Sequence, residues 1–206
     1  MLREFHEHPL VRHHLTVLRD KITDATAFRH ACSALTSLVV AEAVKDLPTE
    51  HFSIQTPLEV TDGWRIAGPT VFVPILRAGL GMLEPAMATV PGASVGYIGM
   101  ERDEATAEAS CYYAKMPDLT KAQRIFLLDP MLATGGSAVQ CVDQLKTEGA
   151  RRISMICIVA APEGVALMEQ THPDVSITTA VLDRRLNEKK YILPGLGDFG
   201  DRLFDT

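Results

Sequence analysis

The sequence predicts an α/β fold in which a central, mostly parallel β-sheet is flanked by helices. Five short β-rich runs alternate with helical segments along the chain. The β-rich runs are 70–75, 94–100, 124–129, 152–160 and 175–182, and the helical segments between them are 79–89, 136–148 and 163–170. Parallel strands need long crossover connections, which are usually helices, so this alternation indicates a parallel sheet.

Length and composition predict one domain that spans residues 1–206. The chain has 206 residues, of which 47% are hydrophobic, enough to bury one sizeable core. The longest apolar runs, such as 156–161, are far shorter than the roughly 20 residues that cross a bilayer. The first residues lack the apolar segment of a secretory signal, and the four cysteines form no C-x-x-C pair. We therefore expect a cytoplasmic protein with reduced thiols and no membrane partner.

The charge balance disfavours a nucleic-acid partner. The chain has 26 acidic and 20 basic residues and a net charge of −6. General nucleic-acid binders neutralise several phosphates with a basic face. A small anionic ligand, held by local positive charge, remains compatible with this composition.

The regions before residue 70 and after residue 182 have other sequence patterns than the alternating strands and helices. Residues 24–46 carry apolar side chains at three- and four-residue spacings and predict a long helix that Pro48 ends. Residues 51–67 predict a hairpin at the sheet edge. The last 24 residues, 183–206, have no helical period, and we expect an ordered loop there.

The strongest chemical signal is the segment 129–137, called here the phosphate loop. Asp129 ends a buried strand, and Thr134, Gly135, Gly136 and Ser137 form the turn that opens a helix. Glycines let a ligand approach the backbone, and the amides of a helix N-terminus attract anions. An acid just before such a turn can accept hydrogen bonds from ribose hydroxyls. The segment could therefore hold both ends of a ribose 5-phosphate.

A purely structural interpretation of the same segment stays open at this point. Gly135 and Gly136 could simply make a tight strand-to-helix turn with Thr134 as N-cap. The spacing matches neither the dinucleotide-binding pattern G-x-G-x-x-G nor the nucleotide-binding pattern G-x-x-x-x-G-K-[ST]. Dinucleotide and ATP sites are therefore disfavoured.

Three segments together resemble the uracil phosphoribosyltransferase family. They are DPMLATGGS at 129–137, PILRAGLGM at 74–82 and YILPGLGDFGDRLF at 191–204, and the resemblance extends from about His8 to Thr206. It implies the type I phosphoribosyltransferase fold with an N-terminal helical segment and a C-terminal base-binding hood. It also implies transfer of the phosphoribosyl group of phosphoribosyl diphosphate (PRPP) to N1 of uracil, which gives UMP and pyrophosphate.

The resemblance assigns roles to particular residues. The catalytic residues it implies are Arg77, Arg102, Asp129 and Asp198. The PRPP-binding residues it implies are Arg77, Ala78, Gly79, Arg102, Asp129, Pro130, Met131, Leu132, Ala133, Thr134, Gly135, Gly136, Ser137 and Asp198. The uracil-binding residues it implies are Ile192, Gly197, Asp198 and Phe199.

Further expectations follow from this resemblance. A guanidinium at Arg77 would stabilise the departing pyrophosphate, and the peptide between Arg77 and Ala78 is expected to be cis. The polar stretch 99–117 is expected to include a mobile flap. Mg²⁺ is expected as cofactor, held mainly by PRPP and water, with no assigned protein ligand. Family members form homodimers or larger homo-oligomers, and GTP activates some of them.

The sequence also departs from the family pattern and leaves rival functions open. Asp205 stands where glycine is usual, Phe199 where a smaller residue is common, and 83–85 (Leu-Glu-Pro) replaces an Asp-Gly stretch. The rivals are a phosphoribosyltransferase for another base, a pyrimidine-sensing RNA-binding regulator on the same fold, and an inactive homologue. The histidines at 6, 8, 13 and 14 lack a convincing ligand set, and we expect no metal there.

Overall fold

The computed structural model of the chain describes residues 1–102 and 109–206. The helices are α1 (Pro9–Arg19), α2 (Ala25–Ala43), α3 (Leu80–Thr89), α4 (Gly136–Thr147), α5 (Pro162–Thr171) and α6 (Phe199–Phe204). The strands are β1 (Leu2–Glu4), β2 (Thr49–Gln55), β3 (Val60–Ile66), β4 (Thr70–Leu76), β5 (Ser94–Val95), β6 (Tyr97–Arg102), β7 (Ala109–Lys115), β8 (Arg124–Leu128), β9 (Met131–Leu132), β10 (Ile153–Ala160), β11 (Ser176–Leu182), β12 (Arg185–Leu186) and β13 (Ile192–Leu193).

The central sheet has the order β1-β11-β10-β8-β4-β6-β7, with β5 added beside β4 and β9 beside β10. Within the described ranges its neighbouring strands are parallel, except that β7 runs antiparallel to β6 at one edge. The predicted α/β fold with a mostly parallel sheet and flanking helices is confirmed. Of the helices in this part of the chain, none is both long and apolar enough to cross a bilayer.

The core lies on both faces of the sheet, because successive side chains of a strand point to opposite sides. Phe72 and Phe126 pack on the side of α1, α2 and α3. Val73 and Leu127, the next residues in the same strands, pack on the side of α4 and α5. The interior strands are therefore apolar without alternation, as their sequences are.

Helix α2 confirms the predicted long helix and corrects its end. The carboxylate of Asp24 accepts a hydrogen bond from the amide of Ala27 (2.8 Å) and caps the N-terminus. The last helical residue is Ala43, followed by a turn in which the amide of Leu47 donates to the carbonyl of Val44. The helix has thus ended before Pro48, which instead precedes β2.

Two other predictions were wrong in part. The hairpin β2–β3 forms, but as a separate two-stranded sheet and not at the edge of the central sheet. The C-terminal segment 183–206, called the hood from here on, is not a loop throughout, since β12 and β13 pair antiparallel and α6 follows them. The strands β1 and β7 were not predicted as elements, and helix α1 belongs to the N-terminal helical segment that the resemblance implied without bounds.

Candidate active site

The predicted PRPP segments meet at the carboxyl edge of the central sheet. Strands β4 and β8 are parallel neighbours, with Pro74 opposite Leu128. Arg77 follows the end of β4, and Asp129 follows the end of β8. Ligands of open parallel sheets bind at this edge.

Asp129 lies half-buried at the end of β8. The amide of Met131 donates to its carboxylate over 3.3 Å, and its own amide donates to the carbonyl of Ile156. Burial nevertheless raises the pKa of Asp129 to about 7, with the Met131 hydrogen bond acting in the opposite direction. The carboxyl therefore needs cations or hydrogen-bond donors from a ligand to hold its charge fully at neutral pH.

The rest of the phosphate loop is shaped by the sheet and by Gly135. Strand β9 pairs with β10, which fixes Met131 and Leu132. Gly135 has φ +85°, and a Cβ there would lie 2.9 Å from the carbonyl oxygen of Gly164. Gly135, and not Thr134, is the N-cap residue of α4, and as a glycine it has no side chain that could cap the helix. Backbone amides at the N-terminus of a helix attract anions, and those of α4 lie in the predicted phosphate loop.

Gly136 has a different environment from Gly135. Apart from its chain neighbours and the backbone of its own helix, the only described atom within 4 Å of a Cβ at Gly136 would be the hydroxyl oxygen of Thr134, at 3.9 Å. The protein itself therefore does not require glycine at 136. A small niche of about 50 Å³ lies beside these residues, lined by Asp129, Met131, Leu132, Ala133, Thr134, Gly135, Ser137 and Ala138.

The Arg77 loop packs against the end of β8. A Cβ at Gly79 would lie 2.5 Å from the carbonyl oxygen of Leu128, so only glycine permits this approach. The cis peptide of this loop joins Leu76 to Arg77. The prediction of a cis peptide between Arg77 and Ala78 was wrong by one residue. The Arg77 side chain is exposed, and its guanidinium carbon lies 5.8 Å from the ring centroid of Phe204.

All four predicted uracil-binding residues line one cleft of about 260 Å³. Its lining comprises Met131, Ala133, Lys189, Lys190, Tyr191, Ile192, Gly197, Asp198 and Phe199. Met131 and Ala133 belong to the phosphate loop, so this cleft joins the two predicted substrate regions. Asp198 is exposed and caps α6 by accepting a hydrogen bond from the amide of Asp201 (3.0 Å). Phe199 is 2% exposed and meets the ring of Phe28 edge-on.

The whole chain matches known proteins of one family. The family model described as uracil phosphoribosyltransferase matches residues 5–206. The chain belongs to the uracil phosphoribosyltransferase family. Its membership identifies it as an enzyme, a pentosyltransferase.

Individual relatives of this family cover nearly the full length. Proteins named uracil phosphoribosyltransferase from Ligilactobacillus salivarius and Streptococcus pneumoniae are 48% and 50% identical, each over 97% of this chain and 96% of the relative. A solved structure of an Aquifex aeolicus protein has a TM-score of 0.93 at 38% identity, covering 99% of this chain and 98% of that one. A hypoxanthine-guanine phosphoribosyltransferase from Bacillus anthracis, at 7% identity and TM-score 0.53 over 77% of this chain and 80% of that one, shares the fold alone.

The uracil phosphoribosyltransferase motifs did not indicate every residue at the cleft. Lys189 and Lys190 line it and lie just before the motif 191–204, and Tyr191 lines it as the first residue of that motif without having been assigned a role. The available signal was the basic pair directly before YILPG, which resembles an ordinary solvated turn in sequence. Lys190 also has φ +65°, a conformation that a sequence without glycine there does not reveal.

For the predicted site residue Arg102, the structure describes the backbone only. Arg102 ends β6 and stands opposite Ala109 in β7, but its side chain is outside the described part. The flap is predicted within 99–117; residues 103–108 of this stretch also lie outside the described part, and the described remainder belongs mainly to β6 and β7. Strand β6 is the parallel neighbour of β4, so the backbone of Arg102 continues toward the same sheet edge as Arg77.

Two departures from the family pattern have visible consequences. Asp205 has φ +62° at the C-cap of α6, a conformation that glycine adopts more easily. Pro85 lies inside α3 and cannot donate to the carbonyl of Gly81, four residues earlier. The thiol of Cys32 donates to that carbonyl over 3.5 Å.

Proposed function

We propose that the chain transfers the 5-phosphoribosyl group of PRPP to N1 of uracil, giving UMP and pyrophosphate. The observation that carries the proposal is the 260 Å³ cleft in which Ile192, Gly197 and Asp198 of the hood face Met131 and Ala133 of the phosphate loop. A base next to a ribose phosphate is the arrangement that such a transfer requires. Family membership and relatives with this name at about half identity support the same conclusion.

The phosphate loop is proposed to bind the ribose 5-phosphate. Its N-terminal amides and the open space beside Gly136 suit the phosphate. Asp129 would accept hydrogen bonds from the ribose hydroxyls, and these donors would stabilise its ionised form against the effect of burial. The residues from Pro130 to Ser137 thus act mainly through backbone, with Thr134 and Ser137 adding hydroxyl donors.

Arg77, Ala78, Gly79 and Arg102 are proposed to bind the pyrophosphate. As the bond between C1′ and the pyrophosphate oxygen breaks, negative charge grows on the leaving group. A guanidinium stabilises this charge more in the transition state than in the ground state. Arg77 is exposed at the carboxyl edge, where it is accessible to a ligand.

The hood is proposed to select the base and to assist its attack. Uracil offers two carbonyl acceptors and an N3–H donor, which backbone groups around Ile192 and Gly197 can match. N1 attacks C1′ opposite the leaving group, and the N1 proton passes to the exposed carboxylate of Asp198. Cytosine reverses the donor and acceptor pattern and would leave buried groups unpaired.

Mg²⁺ is proposed as the cofactor, because PRPP carries several phosphate charges. Among the residues described, no group of three or more histidine, cysteine, aspartate or glutamate side chains could hold a metal ion. The carboxylate of Asp129 is a hard oxygen ligand and could hold Mg²⁺ bound to PRPP. When bound, the ion would neutralise phosphate charge and stabilise the leaving pyrophosphate.

We further propose that the protein is a cytoplasmic, single-domain homo-oligomer. The hairpin β2–β3 exposes large apolar side chains, including Phe52, Ile54, Val60 and Trp64, and a second copy of the chain would cover them. The cysteines are free thiols, three of them buried, as suits a reducing compartment. Sedimentation would measure the assembly, and repeating the activity assay with GTP would measure the activation implied for some relatives.

The function is tested by measuring UMP formation from PRPP and Mg²⁺ with uracil, cytosine or hypoxanthine as the only base, beside pyrophosphate release. We expect turnover with uracil alone. Turnover of another base would keep the phosphate-loop assignment and overturn that of the hood. Absence of turnover with every base would contradict the proposed function.

A further inference from the structure

We propose that Arg19 and Asp183 form a positioning pair that sets the affinity of the base cleft for uracil, an inference that rests on the proposed function. Neither residue lines the cleft. Arg19 is the last residue of α1, and Asp183 follows the end of β11 at the start of the hood. The pair therefore joins the N-terminal helix to the base-binding segment.

The contact between the two side chains is bidentate and largely buried. The Nη2 and Nη1 atoms of Arg19 donate to Oδ1 and Oδ2 of Asp183 over 2.7 and 3.1 Å. The Asp183 side chain is 4% exposed and that of Arg19 is 23% exposed. Paired, parallel hydrogen bonds of this kind fix the orientation of both groups as well as their distance.

Both side chains also hold the backbone of Gly195. The amide of Gly195 donates to Oδ2 of Asp183 over 2.9 Å, and its carbonyl accepts from Nη1 of Arg19 over 3.2 Å. Gly195 has φ +58°, and a Cβ there would collide with the carbonyl oxygen of Ile192. Gly195 lies between Ile192 and Gly197, which both line the cleft. The pair thus fixes the backbone stretch that is proposed to recognise the base.

The hood needs such external support because its own elements are very short. Strands β12 and β13 have two residues each, and α6 has six. Helices of this length are not stable alone. The guanidinium of Arg202 in α6 donates to the carbonyls of Leu18 and Asp20 at the end of α1. The end of α1 therefore contacts the hood at two points, through Asp183 before the cleft segment 192–197 and through Arg202 after it.

The phosphate loop is supported independently of α1. Its backbone is held by the pairing of β9 with β10 and by the close contact between Gly135 and Gly164. Loss of the Arg19–Asp183 pair should therefore displace the hood and leave the backbone of the phosphate loop in place, so that Asp198 is the one expected PRPP contact that moves. The kinetic signature is a rise in the KM for uracil that clearly exceeds any rise in the KM for PRPP.

The test compares Arg19→Gln and Asp183→Asn with the control Arg124→Gln. Arg124 also forms an ion pair, through one hydrogen bond of 3.0 Å to Asp46; the Arg124 side chain is 17% exposed and that of Asp46 is 54% exposed. It lies at the beginning of β8, at the opposite end of the strand from Asp129. All three variants remove a partly buried charge pair, so a general loss of stability should appear in each of them.

We expect both variants of the pair to raise the KM for uracil about tenfold, since small displacements of binding groups have effects of this size or larger. The double variant should be no worse than either single variant, because the two side chains act as one unit. Arg19→Lys, which cannot form the bidentate contact, should lie between the wild type and Arg19→Gln. Arg124→Gln should leave both KM values unchanged.

The outcomes separate this inference from the proposed function. Wild-type protein that makes no UMP contradicts the function itself. Active wild-type protein with an unchanged KM for uracil in Arg19→Gln and Asp183→Asn overturns the positioning role. An equal rise in the KM for PRPP, or a rise with Arg124→Gln, also overturns it, since the effect would then be general. If Arg19→Gln fails to fold, Arg19→Lys and Asp183→Asn give the same comparison.

Discussion

The phosphate loop and the hood lie against the same cleft but are stabilised by different parts of the molecule. The phosphate loop continues directly from β8 and is pinned by the pairing of β9 with β10. The hood is attached by side chains that are distant in sequence. Arg19 contacts Asp183 across 164 residues, and Arg29 donates to the carbonyl of Leu203 across 174 residues.

This difference separates two kinds of recognition. Binding of a sugar phosphate needs backbone amides at a fixed sheet edge, which the central fold provides in one continuous segment. Recognition of a base needs a differently shaped pocket for each base. A segment attached to the sheet mainly by side chains can change without altering the phosphate loop. Substitutions in the two regions should therefore change different kinetic constants.

The largest effect is expected for Arg77→Ala. Loss of one charge-stabilising donor typically lowers kcat by about 10²–10³-fold. We expect a fall of this order with a smaller change in the KM for uracil, measured by steady-state UMP formation. The matched control is Arg151→Ala, which removes an exposed arginine next to the amino end of β10. An unchanged kcat for Arg77→Ala would remove Arg77 from the pyrophosphate site.

Substitution of Asp129 should raise the KM for PRPP and leave the affinity for uracil nearly unchanged. Loss of hydrogen bonds to a charged group costs about 1.5–3 kcal/mol, so Asp129→Asn should raise the KM for PRPP about tenfold or more. The raised pKa, about 7, means that the free protein loses this charge as the pH falls through neutrality. The kcat/KM for PRPP of the wild type, divided by that of Asp129→Asn, should therefore decrease as the pH is lowered from 8 to 6. A constant ratio would show that this carboxyl does not titrate in the free protein.

The same pKa shift predicts a change in stability with the opposite dependence on pH. The folded protein holds the Asp129 proton more tightly than the unfolded chain does, so this stabilisation is present at low pH. It is lost as the pH rises from about 4 through 7. Asp129→Asn should therefore gain thermal stability relative to wild type as the pH rises from 5 to 8. A Tm difference between Asp129→Asn and wild type that stays constant from pH 5 to pH 8 would contradict the raised pKa of Asp129.

Alanine substitutions at the two glycines of the phosphate loop should have different effects, one on the stability of the protein and the other on PRPP binding. Gly135→Ala adds a Cβ 2.9 Å from a carbonyl oxygen at a positive φ, and it should destabilise the protein by about 1–2 kcal/mol or more. Gly136→Ala should cost little stability, because the space there is open, yet it should raise the KM for PRPP. Thermal unfolding and kinetics of both variants test this. A Gly136→Ala protein with normal PRPP kinetics would mean that the ligand does not approach that backbone.

The smallest expected effect is at Asp205. Replacing this residue at φ +62° by glycine should stabilise the protein by up to about 1 kcal/mol, because glycine adopts the conformation without strain. Asp205→Ala removes the same charge but increases the strain, because alanine adopts a positive φ less readily than aspartate does, so this variant should be less stable than wild type. Thermal unfolding distinguishes them. If the glycine and alanine variants are equally stable, any change in stability relative to wild type would come from the loss of the Asp205 charge and not from backbone strain.

Much of the fold could be predicted because its signals are local. Buried parallel strands are continuous apolar runs, and the predicted runs 70–75, 124–129 and 152–160 match β4, β8 and β10 to within one residue at each end. Strand β1 was missed because three residues with two charges carry no pattern. It is a strand only because Leu2 pairs with Ile177 at the far end of the chain.

The site was predictable where chemistry depends on consecutive residues and not where it depends on tertiary contacts. Asp129 and the glycines after it predict an anion site by their order alone. The Arg19–Asp183 pair is invisible in sequence, since neither residue indicates its partner. The residues proposed to bind uracil were predicted only by resemblance, because backbone recognition of a base leaves no characteristic side chains.

The most direct test of the two-part site is a crystal structure of the protein with UMP, which contains both the base and the ribose 5-phosphate. We predict that the 5′-phosphate lies against the amides of 134–137, the ribose hydroxyls face Asp129, and the uracil ring lies in the cleft beside Ile192 and Gly197. A phosphate at the loop with the base outside that cleft would contradict the assignment of the hood, and UMP bound elsewhere would contradict the account as a whole.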